Sequence, residues 1–465
     1  MIGHSFHAAG DHPEAANDDA PRARVGDILR LPHRRAGPGR SVAGRSVAVL
    51  GAGITGVTTA YALLKRGLDV TLFDRQRTAG METSYANGGQ LSASNAEVWT
   101  HPATILKGMK WMLRGDAPLL VRPLPTWHKL SWMAEFVAEC RNYEKHTIET
   151  TRLAIASREH MERIAAEEGI DYDRVERGIL HIYRDRHGYE HAEKVNRLLA
   201  AGGLERHSVT CAEMLEVEPA LAASGEFHGG FYTPSDATGD IHKFSRGLLA
   251  ACERMGLRFV GGADVRETRA ENGGVVVRWA DRTDEAREER FDALVMCAGV
   301  GSRKLAGQLG DRVNIYPVKG YSITVHLDDE ASRRAAPWVS LLDDDTKIVA
   351  SRLGEDRYRV AGTAEFNGFN RDILDSRIRP LVNWTEQLFP GVDTSRTVPW
   401  AGLRPMLPSM MPRVGAGHAP GVFYNTGHGH LGWTLGAITA EMVAEDVAAM
   451  HGGDLDRETW LDAAE

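Results

Sequence analysis

The clearest hydrophobic pattern lies near residue 50, where an apolar run is followed by glycines and then by a helical pattern. Residues 46–50 (SVAVL) are β-branched and aliphatic, which is typical of a buried parallel strand. Residues 57–66 have helical character, and Gly67 follows as a residue that ends a helix. Residues 69–73 (DVTLF) predict a second strand, which ends at Asp74. This order predicts a βαβ unit.

The turn between the first strand and the helix has the spacing of a dinucleotide-binding fingerprint. Gly51 permits the tight turn, Gly53 lets the backbone approach a pyrophosphate, and Gly56 lets the helix pack closely on the strand. The helix N-terminus offers N–H groups and partial positive charge to phosphates. Asp74 lies 23 residues after Gly51, where a carboxylate accepts hydrogen bonds from a ribose. The predicted cofactor residues of this unit are Gly51, Ala52, Gly53, Ile54, Thr55, Gly56, Asp74 and Arg75.

The βαβ unit alone does not distinguish FAD from NAD, but the loop at residues 82–91 favours FAD. This loop is polar, rich in glycine and too long for a simple turn. Its hydroxyls, amide and backbone N–H groups suit a pyrophosphate and the polar edge of an isoalloxazine ring, although an ordinary surface loop remains the alternative. The candidates in it are Thr83, Ser84, Asn87, Gly88, Gly89, Gln90 and Leu91.

A second glycine-rich segment, residues 427–434 (GHGHLGWT), precedes a helical stretch at 435–450. Glycines there let the backbone approach a flat ring, and the helix N-terminus can stabilise negative charge on a reduced flavin. A glycine-rich entry into a plain surface helix is the alternative. We expect His428 and His430 to act through backbone and packing rather than as acid–base groups. The candidates here are Gly427, His428, Gly429, Leu431, Gly432 and Thr434.

Five segments in this order resemble the D-amino acid dehydrogenase small-subunit family, within the D-amino acid oxidase and glycine oxidase superfamily of flavoproteins. They are VAVLGAGITGV, DRQRTAGMETSYANGGQLS, YPVKGYSITV, AGLRPM and NTGHGHLGWT, and the resemblance runs from about residue 47 to residue 450. It implies an FAD cofactor. Because residues 83–91 contain neither His nor Cys, we expect the FAD to be non-covalent. The resemblance adds Val265, Ala298 and Gly299 as cofactor contacts.

The resemblance also implies an α/β fold, with a Rossmann-like FAD-binding domain and a mixed α+β substrate domain, both discontinuous in sequence. Apolar runs that predict strands at 257–260, 274–279 and 293–297 agree with this organisation. The predicted partition is a disordered tail at 1–44, an FAD-binding domain at 45–104, 234–312 and 398–450, and a substrate domain at 105–233 and 313–397.

On the substrate side, Arg404 matches the carboxylate-binding arginine of the family, since a guanidinium grips a carboxylate with two charge-assisted hydrogen bonds. Tyr321 is a second candidate, as a hydroxyl donor or lid. The implied reaction is oxidative deamination of D-amino acids to 2-oxo acids and ammonia, by hydride transfer from Cα to flavin N5. A quinone or another acceptor then takes the electrons. The segment Ser409–Pro412 departs from the family pattern, which leaves the substrate identity open.

Two alternatives stay open from the sequence. The same arginine suits other amine acids, such as D-hydroxyproline, glycine or sarcosine. A non-catalytic FAD-holding subunit of a larger complex is a rival of another class, although a scaffold needs no carboxylate clamp. The sequence offers no Ser–His–Asp arrangement and no metal-ligand pattern, so we expect no metal.

Composition and charge indicate the class of protein and where in the cell it is expected. Apolar residues make up 43% and charged residues 25% of 465, as in ordinary globular enzymes, and the net charge of −8 argues against nucleic-acid binding. The four scattered cysteines form no zinc or disulfide pattern, so a cytoplasmic location is expected.

Two stripes of apolar residues at helical spacing suggest peripheral contact with the inner membrane face, with packing on the protein's own core as the alternative. They comprise Ile105, Leu106, Met109, Met112 and Leu113, flanked by basic residues, and Trp127, Leu130, Met133, Phe136 and Val137.

Overall fold

The predicted βαβ unit opens the computed structural model, which describes residues 44–111, 119–122 and 125–450. The predicted tail therefore lies outside the described residues, apart from Gly44. In chain order the strands are β1 (Ser46–Leu50), β2 (Asp69–Asp74), β3 (Gln90–Leu91), β4 (Leu119–Val121), β5 (Ile179–Tyr183), β6 (His207–Val209), β7 (Gly229–Thr233), β8 (Ala237–Thr238), β9 (Arg258–Gly261), β10 (Asp264–Glu271), β11 (Gly274–Ala280), β12 (Ala286–Phe291), β13 (Ala293–Met296), β14 (Tyr316–His326), β15 (Ser340–Asp343), β16 (Ile348–Leu353), β17 (Arg357–Phe366), β18 (Thr397–Met406), β19 (Arg413–Ala416) and β20 (Val422–Thr426).

Most of these strands form two large sheets, and helices pack on both of them. In chain order they are α1 (Ile54–Leu64), α2 (Pro102–Trp111), α3 (Trp127–Ala138), α4 (Tyr143–Glu168), α5 (Arg186–Ala201), α6 (Cys211–Val217), α7 (Ile241–Arg254), α8 (Ser302–Gln308), α9 (Glu330–Ala335), α10 (Asp375–Leu388) and α11 (Gly432–Met450). None of the helices within the described ranges has the length and apolar character that crossing a bilayer requires.

The first sheet has six strands in the spatial order β19-β20-β13-β1-β2-β9. Strand β1 pairs in parallel with both β2 and β13. Its side chains are buried on both faces, since Val47 and Val49 belong to one hydrophobic core and Ala48 and Leu50 to another, as its unbroken apolar sequence predicts. Helix α1 starts three residues earlier than predicted, directly after Gly53, because the tight glycine turn brings the chain into helical conformation at once. The strands predicted near 257, 274 and 293 are confirmed as β9, β11 and β13.

The second large sheet has nine strands in the order β18-β14-β17-β16-β15-β5-β7-β6, with β4 beside β17. Its core lies against α10 and includes Tyr358, Leu381 and Trp384. Strand β18 is hydrogen-bonded to β14 along ten residue pairs, although the predicted FAD-binding segment starts at residue 398. The predicted boundary at residue 398 therefore falls within a strand of the nine-stranded sheet. A local sequence pattern does not reveal which distant strand a run will join.

Helix α4 lies on the other side of the predicted partition as well. Met161, Ile164 and Ala165 of α4 share one hydrophobic core with α1 and α11, which belong to the dinucleotide unit. The segment 105–233, predicted as part of the substrate domain, thus contributes one long helix to the first core. The third core lies between the six-stranded sheet and the sheet β10-β11-β12, where Phe73 packs on Trp279 with ring centroids 4.8 Å apart.

The predicted apolar stripe of α3 is divided between core and surface. Met133 and Phe136 are half-buried against the cluster around Trp132, whereas Trp127 is 82% exposed. Leu130 and Val137 are also exposed, so only part of the stripe packs on the protein. In the first stripe Leu106 is exposed, while Met112 and Leu113 lie outside the described residues.

Candidate functional site

One continuous cavity of about 1780 Å³ lies between the glycine-rich turns of the first sheet and the face of the nine-stranded sheet. Pockets that hold a single drug-sized ligand measure roughly 300–1,000 Å³. The cavity is therefore large enough for a dinucleotide together with a small substrate. It contains segments from both predicted domains, so the two sequence-predicted sites share one space.

The glycines of the βαβ turn differ in what confines them. Gly51 has a φ of +101°, and a Cβ there would lie 2.6 Å from the carbonyl oxygen of Cys297. A Cβ on Gly56 would lie 1.7 Å from the carbonyl oxygen of Gly51. At Gly53, in contrast, the nearest atom to such a Cβ is Ser84 Oγ at 3.4 Å. The protein's own backbone excludes a side chain at Gly51 and Gly56, whereas a Cβ on Gly53, at the cavity wall, would make only an ordinary van der Waals contact.

Polar groups around this turn are already oriented. Asp74 accepts backbone hydrogen bonds from Ala52 at 2.6 Å and from Gln76 at 2.7 Å, and burial raises the pKa of its carboxyl. Ser84 Oγ accepts a hydrogen bond from the backbone N–H of Ile54 at 3.0 Å. Both contacts fix side chains beside the N-terminus of α1, where first-turn N–H groups have no partner within the helix. The wall of the cavity thus carries an anion-binding helix end and a carboxylate.

The loop at residues 82–91 spans the cavity rather than lying on the surface. Thr83 Oγ1 donates to the carbonyl oxygen of Leu403 at 2.8 Å, and Gln90 Nε2 donates to Ser340 Oγ at 2.9 Å. Asn87 Oδ1 accepts from the backbone of Gly89 at 3.0 Å, which shapes the loop itself. Since Leu403 and Ser340 belong to the nine-stranded sheet, this loop connects the two sides of the cavity.

The segment at residues 427–434 brings two neutral histidines to the cavity. His428 Nε2 lies 2.9 Å from Thr439 Oγ1, and burial lowers the pKa of His428 to about 3. His430 Nε2 lies 3.3 Å from the carbonyl oxygen of Asn95, and its ring stacks on Trp99 at 4.9 Å. Burial lowers the pKa of His430 to about 4. Neither imidazole is charged at neutral pH, which accords with the packing roles expected from the sequence.

Most of the predicted cofactor residues border the cavity. Ala52 and Gly56 are enclosed in the βαβ turn, and Leu91 faces the first core, so these three do not line it. The predicted residues that line it are Gly51, Gly53, Ile54, Thr55, Asp74, Arg75, Thr83, Ser84, Asn87, Gly88, Gly89, Gln90, Val265, Ala298, Gly299, Gly427, His428, Gly429, Leu431, Gly432 and Thr434.

Arg404 lines the same cavity from β18. Its Nη1 donates to the carbonyl oxygen of Thr363 at 2.9 Å, and its guanidinium lies directly over Gly320. Within the described part of the chain, no carboxylate forms an ion pair with it. Burial lowers the pKa of Arg404 to about 10, so the side chain remains charged at neutral pH. A desolvated cation without a counter-ion is costly unless an anion reaches it.

Tyr321 also lines the cavity, but its hydroxyl hydrogen is already engaged. The hydroxyl donates to Glu365 Oε2 at 2.7 Å, and Glu365 lies 3.3 Å from Lys319 Nζ. Burial, followed by the hydrogen bond to Glu365, raises the pKa of Tyr321 above its usual range. The role of hydroxyl donor predicted for Tyr321 is therefore taken by an internal contact, and the residue presents its ring to the cavity.

Several residues at this end of the cavity were not identified from the sequence. Thr363 and Trp400 line it, and Glu365 lies behind Tyr321. They come together through the pairing of β17, β14 and β18, which no local motif encodes. The one signal available was the glycine of the segment VKGYS, since an isolated glycine within a strand suggests a bulge or a close approach.

The chain matches known proteins along nearly all of its described length. A family described as FAD dependent oxidoreductase matches residues 46–446. A protein of Mesorhizobium japonicum named D-amino acid dehydrogenase 3 is 60% identical over 402 residues, which cover 86% of this chain and 97% of the relative. A D-amino acid dehydrogenase of Paramagnetospirillum magneticum is 42% identical over 428 residues, covering 89% of this chain and 99% of the relative.

Solved structures resemble the fold. A glycine oxidase from Geobacillus kaustophilus has a TM-score of 0.66 at 21% identity and covers 87% of this chain and 95% of its own. An L-proline dehydrogenase from P. horikoshii has a TM-score of 0.68 at 15% identity and covers 90% of this chain and 96% of its own. At such low identity these structures bear on the fold alone, and they confirm the predicted α/β class.

The neutral histidines predict how stability depends on pH. A histidine whose pKa falls from 6.5 to about 4 on folding stabilises the protein fully above pH 6.5 and loses this contribution as the pH falls toward 4. Replacing His430 with Gln, which can still donate to Asn95, should reduce the loss of unfolding free energy between about pH 6.5 and 5 by on the order of 1–2 kcal/mol. Urea titrations at the two pH values measure this difference.

His191 provides a control of opposite sign. Its hydrogen bond to Glu97 raises its pKa, so its stabilisation is present below pH 6.5 and is lost as the pH rises through the raised value. His191→Gln should make the protein more sensitive to acid, not less. Equal acid sensitivity of the His430→Gln variant and the parent protein would show that His430 is not held neutral.

Proposed function

Since this chain belongs to the FAD dependent oxidoreductase family, we propose that it oxidises D-amino acids to 2-oxo acids and ammonia. Membership confirms the family predicted from the sequence and makes FAD its cofactor. The substrate class comes from the two relatives named D-amino acid dehydrogenase. The observation that carries the proposal to this chain is Arg404, a cavity-lining guanidinium without a carboxylate partner in the described residues.

The residues of the first sheet fit the cofactor. Gly53 lines the cavity without a side chain, the N-terminus of α1 suits the pyrophosphate, and Asp74 suits a ribose hydroxyl. When bound, FAD supplies at N5 the acceptor for the hydride on the substrate Cα. We assign the loop at 82–91 and the segment at 427–434 to the isoalloxazine end, with Val265, Ala298 and Gly299 nearer the adenosine.

On the substrate side, this chain's own residues bind and orient. Arg404 takes the α-carboxylate with two parallel hydrogen bonds, which restricts rotation of the substrate about its carboxylate. The rings of Tyr321 and Trp400 border the same space and limit access of water. Holding the reacting atoms in a fixed geometry is the main task of a protein whose cofactor carries the chemistry. His428 and His430, both neutral, add no charge that would attract the carboxylate away from Arg404.

We also propose that the protein passes electrons to a quinone at a membrane surface. Trp127, Leu130 and Val137 form an exposed apolar face on α3, and a helix that presents such a face suits the boundary between headgroups and acyl chains. Peripheral contact of this kind would place the enzyme beside a lipid-soluble acceptor on the inner membrane face.

Gly53 tests the cofactor site. A Cβ at this position meets no atom of the protein closer than 3.4 Å, so Gly53→Val should fold, but its side chain fills the space of the pyrophosphate. We expect absorbance at flavin wavelengths to be lost from the purified variant while its apo-protein unfolds normally. Acid precipitation of the parent protein should release all flavin to the supernatant, as non-covalent binding requires. Full flavin occupancy in Gly53→Val would refute this placement of the pyrophosphate.

Arg404 tests the substrate site. Arg404→Leu should retain FAD but lose on the order of 2–5 kcal/mol of transition-state binding, which is roughly 30-fold to several thousand-fold in kcat/KM. Arg404→Lys should recover part of it, because an ammonium keeps the charge but loses the fork. The measurement is turnover of a D-amino acid panel with an artificial dye acceptor.

Two controls sharpen the Arg404 experiment. Arg396, an exposed arginine paired with Asp328, can be changed to Leu without expected effect on turnover. D-amino acid amides lack the carboxylate, so they should be poor substrates of the parent protein and lose little more in Arg404→Leu. Native turnover of D-amino acids by Arg404→Leu with full flavin would overturn the proposal. The same panel, extended to glycine, sarcosine and D-hydroxyproline, measures the competing substrates.

The membrane proposal predicts that the parent protein floats with vesicles of mixed zwitterionic and anionic lipids. Fully burying one large apolar side chain contributes roughly 1.5–3 kcal/mol. The double variant Trp127→Ser, Leu130→Ser should therefore bind vesicles at least about tenfold more weakly. Leu215→Ser, at an exposed leucine of α6, is the matched control. If the parent protein does not float, or if the double variant floats equally well, α3 is not the contact surface.

A further inference from the structure

A β-bulge lies where β17 passes β14 beside Arg404. Lys319 pairs with Glu365 and Tyr321 pairs with Gly362, so the two residues Thr363 and Ala364 face Gly320 alone. Thr363 has a φ of +63°, in the left-handed region that such bulges usually give to glycine. A β-branched residue with positive φ is a genuine outlier, because its Cβ crowds the backbone. The chain thus holds a strained residue at this point.

The strained backbone shapes the place that Arg404 occupies. The carbonyl of Thr363 accepts the hydrogen bond from Arg404 Nη1 at 2.9 Å. On the opposite strand, a Cβ on Gly320 would lie 2.4 Å from the same nitrogen, so only glycine leaves room for the guanidinium. The bulge, Gly320 and Thr363 together fix the position of the Arg404 side chain.

The side chain of Thr363 carries a second unfavourable feature. The residue lines the cavity and is 8% exposed, and its hydroxyl has no hydrogen-bond partner among the residues that the structure describes. Leaving a buried hydroxyl unpaired costs free energy that an apolar residue of the same shape would avoid. Valine has that shape and prefers strands. Packing alone therefore does not account for a threonine here, and strain of this kind concentrates at functional sites.

We propose that Thr363 is a substrate-orienting residue: its backbone positions Arg404, and its hydroxyl donates to the substrate carboxylate after rotation about the Cα–Cβ bond. The inference rests on the proposed role of Arg404 in carboxylate binding. The carboxylate has about four lone-pair sites, and a guanidinium fork uses two of them. The hydroxyl supplies a third, neutral donor from the neighbouring strand and fixes the plane of the carboxylate.

Thr363→Val isolates the hydroxyl, because it keeps the volume, the branching and the backbone strain. Hydrogen bonds to charged groups correspond to roughly a 10- to 100-fold change in affinity. We expect kcat/KM for D-amino acids to fall by that factor in Thr363→Val, mainly through KM, with flavin content and Tm unchanged. Thr363→Ser should stay within about threefold of the parent protein, and D-amino acid amides should show no further loss with Thr363→Val.

Two further variants separate this role from a structural one. Thr233 is also buried with an unpaired hydroxyl, but it does not line the cavity, so Thr233→Val should leave the kinetics unchanged. Thr363→Gly relieves the strain at positive φ, so its Tm should equal or exceed that of the parent protein while kcat/KM falls as in the valine variant. If Thr363→Val lost its flavin or failed to fold, the kcat/KM of Thr363→Gly would test the role of the hydroxyl instead.

The results expected for the Thr363 variants can be distinguished from those expected for Arg404→Leu. Parent-like kinetics in Thr363→Val or in Thr363→Gly would overturn the inference and leave the role of Arg404 intact. A loss in Thr363→Ser equal to that in Thr363→Val would also overturn it, since the hydroxyl would then not be the active feature. Parent-like turnover in Arg404→Leu would instead remove the clamp on which both proposals depend.

Discussion

The guanidinium of Arg404, charged, half-buried at the cavity wall and without a carboxylate partner among the described residues, is the constraint on which the rest of the site depends. A protein interior tolerates such a charge only when hydrogen bonds and an incoming anion compensate it. Here the protein provides one carbonyl, from Thr363, and the room above Gly320. We propose that the remaining donors of the fork bind the substrate. The bulge, Gly320 and the strained Thr363 all contact or border this one group.

The residues proposed to bind the cofactor line the same cavity as Arg404. Gly51 and Gly56 are required by close contacts in the βαβ turn, whereas Gly53 is open to the cavity. The loop at 82–91 then leaves the turn and bonds through Thr83 to Leu403, the residue before Arg404. The loop that we propose for cofactor binding is thus hydrogen-bonded directly to the strand that carries Arg404, the proposed substrate residue. This connection explains why the two sites form one cavity although their segments are scattered along the chain.

The sequence predicted the features that depend on neighbours in the chain. The βαβ unit, the glycine turn and the helix at 435–450 could be predicted, because a local period and local backbone demands produce them, although this helix begins three residues earlier, at Gly432. Features that depend on strand pairing could not be predicted from the sequence. The pairing of β18 with β14 could not be predicted, since its ten pairs are contacts between residues about 80 positions apart. The left-handed Thr363 arises from the same pairing, and nothing in its local sequence distinguishes it from an ordinary strand residue.

A crystal structure of the FAD-bound protein with a simple 2-oxo acid would show directly where the carboxylate binds. The product analogue keeps the carboxylate and removes the reactive hydrogen, so the complex is stable. We expect both terminal nitrogens of Arg404 to lie within hydrogen-bond distance of the two carboxylate oxygens, with the Thr363 carbonyl still bonded to the guanidinium. A carboxylate bound elsewhere in the cavity, with Arg404 unchanged and without an anion, would contradict this expectation.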